Sequence, residues 1–142
     1  MADTLKQRPA FRNINITDIV SYRLPPAGIV SILHRISGAV LFLLMPFIIW
    51  MFDTSVTSEV SFESFTAAFT SGIGFIPGPL VKLAALGLIW AYLQHFLAGT
   101  RHLWMEATHS LSKEQGKSTA IATLALSALL TVLLGAKLFG LF

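Results

Sequence analysis

The chain has 142 residues, of which 54% are hydrophobic and only 12% charged. Soluble domains carry about 25% charged residues, so this composition excludes an ordinary water-soluble domain and points to a membrane protein. With no cysteine and a net charge of only +3, disulfide staples, thiolate metal sites and iron–sulfur ligation by this chain are excluded, and no basic patch interleaved with aromatics supports nucleic-acid binding.

The first 28 residues, MADTLKQRPAFRNINITDIVSYRLPPAG, lack an apolar core of the length that a cleavable signal requires, so 1–28 is expected to stay as an N-terminal segment. It carries Lys6, Arg8, Arg12 and Arg23 against Asp3 and Asp18. Pro25-Pro26 followed by Gly28 marks a break before the first long helix. The expected fold is all-α: an integral membrane domain over 29–142 with three transmembrane helices at about 29–52, 80–105 and 119–142, each long enough for a hydrocarbon core that needs ~20 residues. Pro46 lies inside the first span, where it is expected to kink the helix. The loop after it holds Asp53, Glu59 and Glu63 but no lysine or arginine, and Phe62, Phe65 and Phe69 recur at helical spacing, which predicts a short amphipathic helix in the interface. Lys82 opens the second span and Lys137 lies near the end of the third, both close enough to a headgroup layer for snorkelling. Between these spans lies EATHSLSKEQGKS, with Lys113 and Lys117, and Arg101 just before it. Basic residues thus mark the N-terminal segment and the second loop, which the positive-inside rule places in the cytoplasm or matrix, with the C-terminus on the opposite side.

An ionisable side chain inside a bilayer costs at least ~2.5 kcal/mol and needs a partner, water or a ligand. Arg101 and His102 close the second span, where headgroup anchoring and a ligand role are both open, and His109 falls in the solvated loop. His95 lies six residues deeper than Arg101, about 9 Å along a helix, beyond the reach of a short imidazole to bulk water. Ala84, Gly87, Ala91, Ala98 and His102 share its stripe at spacings of three or four. Small residues there admit either a close neighbouring helix, with His95 as an interhelical hydrogen-bonding group, or a flat macrocycle such as haem with the imidazole on its iron.

At the start of the first span, SILHR puts Ser31 and Arg35 on one face at i and i+4, with His34 on the flank. The guanidinium is a fixed fork of donors and the imidazole donates or accepts, so the set suits a carboxylate or the carbonyl oxygens of an organic ligand; headgroup anchoring is the competing reading.

The string SILHRISG from Ser31 to Gly38, preceded by Arg8-Pro9, together with H-x-x-x-G-x-R-H from His95 to His102, resembles the cytochrome b membrane-anchor subunits of succinate dehydrogenase, respiratory complex II. The similarity extends over the whole chain in architecture. It implies that His95 is an axial ligand of haem b, shared with a second small anchor subunit that supplies the other ligand. It implies further that Ser31 and Arg35 line a ubiquinone site near the iron–sulfur subunit, and that His34, Arg35 and His102 lie around the haem propionates. Succinate is oxidised in such complexes at a flavoprotein subunit, and electrons reach ubiquinone through iron–sulfur clusters, so the chain is expected in the inner (cytoplasmic) membrane as a non-catalytic electron-transfer anchor of the tricarboxylic acid cycle. Family members often carry aspartate soon after R-H, where this chain has Glu106. Two other readings of the same residues are a haem-free structural anchor and a small proton- or solute-conducting protein using His95, Arg101 and His102 as a relay.

Overall fold

The computed structural model describes residues 15, 17–18, 22–109 and 112–142, and these are helical with no strand element among them. Asp3, Lys6, Arg8-Pro9 and Arg12 of the N-terminal segment lie outside the described residues. Helix α1 spans Pro26–Leu43. Pro25 is held extended (φ −65°, ψ 154°) because a proline follows it, and Pro26 enters the first turn, where its missing N–H has no intrahelical partner to lose. The helix stops at Leu44 (φ −92°, ψ 4°), and α2 starts again over Met45–Val56 with Pro46 in its first turn. The expected kink at Pro46 is therefore a full interruption: the proline has no N–H for the carbonyl of Phe42, and its ring crowds that turn.

Helix α3, Glu59–Thr70, is the short helix expected from the phenylalanine spacing. It is started by a reciprocal cap in which Ser58 Oγ accepts from the Ser61 N–H at 3.1 Å and Ser61 Oγ accepts from the Ser58 N–H at 2.9 Å. Phe65 and Phe69 meet edge to face at 5.2 Å, and the helix lies against α2 and α4. A tight turn through Gly72 (φ 99°) leads into α4, Gly78–Thr108, which at 31 residues is about 46 Å long. His109 ends it in the left-handed region (φ 51°), and Ser112 caps α5, Lys113–Leu138, by accepting from the Gln115 N–H at 3.2 Å.

Helices α1, α4 and α5 are each long and apolar enough to cross a membrane. Helix α4 is the central one, with its largest contacts to α1 and α5, while α1 also touches α5. Apart from Val30, the inaccessible interior is made of small and polar groups: Ala91, Ala98, Ala120, Ser37, Gln94 and Ser127 are essentially inaccessible, whereas Phe42, Leu43, Trp104 and Val132 are exposed. Small residues let the backbones approach and large apolar ones face outward, the pattern of helices packed in lipid and not in water. At Gly135 the approach is so close that a Cβ would stand 2.8 Å from Leu86 Cδ1.

Two sequence expectations change here. The stripe through His95 does not act as one surface, because Ala91 and Ala98 are buried in the bundle while Ala84 and Gly87 are exposed. Lys82 does more than reach for headgroups, since its ammonium stands 5.7 Å above the Phe139 ring at the end of α5.

Candidate functional site

The chain contains H-x-x-x-G twice, as His34 to Gly38 on α1 and as His95 to Gly99 on α4. A four-residue step puts histidine and glycine one turn apart on the same helix face. The two helices run antiparallel, so each glycine meets the imidazole of the other helix. A Cβ on Gly38 would stand 2.8 Å from His95 Cε1 and 3.1 Å from its Nδ1; one on Gly99 would stand 3.5 Å from His34 Nε2. The first value is shorter than any ordinary contact, so glycine at position 38 is what lets the His95 ring lie against α1.

His95 Nδ1 lies 3.0 Å from the His34 carbonyl oxygen, which also accepts from Ser37 Oγ at 3.0 Å. A carbonyl only accepts, so Nδ1 carries the proton, and in the neutral ring the lone pair is then at Nε2. The His34 ring stacks on that of His95 at 4.2 Å between centroids and 16° between planes, and His102 stands 5.5 Å from His34, tilted by 46°. His34, His95 and His102, singled out separately in the sequence, therefore form one cluster between α1 and the second half of α4.

This cluster does not chelate a metal ion by itself: among the described residues no three histidine or carboxylate groups converge on one point. A half-buried imidazole with Nδ1–H fixed by a backbone carbonyl is, however, the chemistry of a single axial ligand, because the outer hydrogen bond sets the tautomer and aims the other nitrogen. Such a donor would suit a group that takes one imidazole nitrogen from this chain, as a haem iron does.

Ser31 is half-buried one turn before Arg35, which is exposed. Neither side chain hydrogen-bonds to a described residue, so the hydroxyl and the guanidinium are both free for a ligand at the start of α1, and Arg35 is joined to the imidazole cluster by no bond or ring contact among the described residues. His102, Met105, Glu106 and His109 line a cavity of about 380 Å³ beside the cluster.

Arg101 departs from the first of the two readings left open for it, that of an outward-pointing helix anchor. It is 8% exposed, Nε donates to Thr119 Oγ1 and Nη2 to the Gly116 carbonyl, each at 3.0 Å, so the guanidinium is turned inward and ties α4 to α5. The residues missed in the sequence are Gly38 and Gly99; the duplicated H-x-x-x-G was the available signal, and its meaning depends on the antiparallel pairing of two helices far apart in the chain.

Residues 4–134 match the family model described as succinate dehydrogenase/fumarate reductase transmembrane subunit. The chain is 38% identical over 112 residues to the succinate dehydrogenase cytochrome b556 subunit of Paracoccus denitrificans, covering 79% of this chain and 81% of the relative. It is 33% identical over 126 residues to the protein of the same name from Coxiella burnetii (strain RSA 493 / Nine Mile phase I), covering 89% and 95%.

Proposed function

The chain belongs to the family of succinate dehydrogenase/fumarate reductase transmembrane subunits, and on that footing we propose that it anchors a succinate:quinone oxidoreductase in the inner membrane, ligates haem b together with a second small anchor subunit, and forms part of the ubiquinone site. The observation that carries this reading is His95, with its Nδ1 proton held by the His34 carbonyl and its ring seated on Gly38. Haem b, when bound, would supply a one-electron redox centre. The chain's own part is positional. His95 Nε2 presents the lone pair, and the His34 carbonyl holds the ring orientation. His34 and His102, with Arg35, offer donors to the haem carboxylates. Ser31 and Arg35 donate to a quinone oxygen and stabilise the negative charge that grows on it as electrons arrive from the iron–sulfur subunit. Succinate is oxidised on the flavoprotein partner, so no side chain of this subunit enters that reaction.

The test is to purify the chain with whatever subunits accompany it in mild detergent and measure two activities side by side. Ser31→Ala and Arg35→Ala should impair electron transfer from succinate to quinone while leaving succinate oxidation by a soluble acceptor intact, because the lesion lies downstream of the flavin. A hydrogen bond from a charged donor is worth about 1.5–3 kcal/mol, so Arg35→Ala should lose tenfold or more and Ser31→Ala less. Equal losses of both activities, in step with the amount of complex, would reduce the pair to a headgroup anchor.

A further inference from the structure

The end of the bundle where α1 and α5 begin holds a cavity of about 550 Å³ that the haem and quinone reading does not use. Its polar wall is made by Arg101, Lys113 and Lys117, and its apolar wall includes Pro26, Ala27 and Met105. No carboxylate lines it, and among the described residues none of the three cations has an acidic partner. Glu114 is exposed on the same turn as Lys113 but does not face the cavity.

Three positive charges around one space repel one another, and the nearly buried Arg101 spends only part of its donor capacity on Thr119 and Gly116. The first turn of α5 adds to the field: Ser112 Oγ satisfies the Gln115 N–H, while the Lys113 and Glu114 N–H groups have no partner among the described residues. The N-terminus of α1 reaches the same cavity through Pro26 and Ala27. A single bound anion would relieve the repulsion and take up the free donors.

The location selects the kind of anion. Tyr22 and Trp104, both 65% exposed, sit close in the chain to the start of α1 and the end of α4, as aromatic side chains do at the level of headgroups. The apolar wall formed by Pro26, Ala27 and Met105 suits a glycerol backbone and the top of acyl chains better than a freely hydrated ion. We propose that the cavity between the N-termini of α1 and α5 is a binding site for one anionic phospholipid, with its phosphate among Arg101, Lys113 and Lys117.

This site is independent of the haem assignment and is tested on the assembled complex. The complex and its K113Q/K117Q variant are placed in nanodiscs of phosphatidylcholine with a rising fraction of phosphatidylglycerol, then extracted, and retained lipid is counted by native mass spectrometry. Both lysines are exposed, so the substitutions leave the helix packing and the Arg101 hydrogen bonds in place; Lys117→Gln alone serves if the double variant does not assemble. The unmodified complex should retain phosphatidylglycerol at about a tenfold lower fraction than the double variant, with the single variant between them, and inorganic phosphate should not release it. Equal retention by wild type and variants, or equal retention of phosphatidylcholine and phosphatidylglycerol, overturns the proposal. Release by inorganic phosphate would make the site one for a free anion, and a cavity that holds no lipid in the intact complex would give it to an acidic segment of a partner subunit.

Discussion

Gly38 is the residue through which the imidazole cluster can be tested without touching an imidazole. Alanine inside a helix is ordinarily better than glycine by about 0.5–1 kcal/mol, but here its Cβ would stand 2.8 Å from His95 Cε1. Overpacking of that kind costs about 1–3 kcal/mol, so the contact outweighs the propensity gain. Gly38→Ala should therefore destabilise the protein and shift the visible spectrum and midpoint potential of any haem held at His95, whereas Gly99→Ala, with 3.5 Å to His34 Nε2, should assemble with a nearly unchanged spectrum. Equal effects at the two glycines would contradict the seating of His95 on α1. At the proposed quinone site, Arg35→Lys should restore little of the activity lost in Arg35→Ala, since an ammonium does not reproduce the planar fork of donors; free exchange of lysine for arginine would favour headgroup anchoring. His95 stood out in the sequence because depth alone demanded a partner for it. The carbonyl that fixes its tautomer did not, since it comes from the backbone of His34, 61 residues earlier, and a backbone group carries no signature in composition or spacing.

Among the elements, the α4–α5 pair depends on a group for which the sequence left headgroup anchoring and a ligand role both open. Arg101 sits in the R-H pair that closes the second span, and its sequence position alone leaves it free to point outward into headgroups. The structure turns it inward, where Thr119 and Gly116 of α5 accept its hydrogen bonds. Arg101→Ala should lower the stability of the folded subunit by about 2–3 kcal/mol, read as loss of resistance to a denaturing detergent. Arg101→Lys should recover only part, because one ammonium at the end of a flexible stem does not hold both acceptors in the geometry of the fork. Full recovery by lysine would mean that charge alone matters there. The first span shows the opposite limit. Pro46 was legible as a disturbance, but a missing N–H does not say whether the helix bends or stops, and it stops at Leu44 because α2 finds its own packing against α3. The short helix between the spans was readable from three phenylalanines, and the Ser58–Ser61 cap starts it.

For the whole molecule, the chain is a transmembrane subunit whose three apolar helices were plain in the composition, because lipid removes the need for polar outer faces and leaves long uninterrupted runs. The interior was less legible: in a membrane helix the large apolar residues face outward, so hydrophobicity does not mark the core; Ala91 and Ala98 stood out only as part of a small-residue stripe, and Ser37 and Gln94 became identifiable as core once the helices were packed. Orientation is a prediction from the placement of charge. Reporters fused after Met1 and near Gln115 should read cytoplasmic, and those near Ser61 or after Phe142 should read external, because Arg23 just before α1 and Lys113 and Lys117 at the start of α5 mark one end of the bundle; the reverse pattern would invert the placement of the proposed quinone site. The function proposed for the assembled protein rests above all on His95 as a haem ligand, and the reduced-minus-oxidised visible spectrum of the purified complex tests that most directly. His95→Ala should abolish or displace the b-type bands per mole of assembled complex, while His102→Ala should keep them; a His95→Ala complex that assembles with an unchanged spectrum would contradict the assignment.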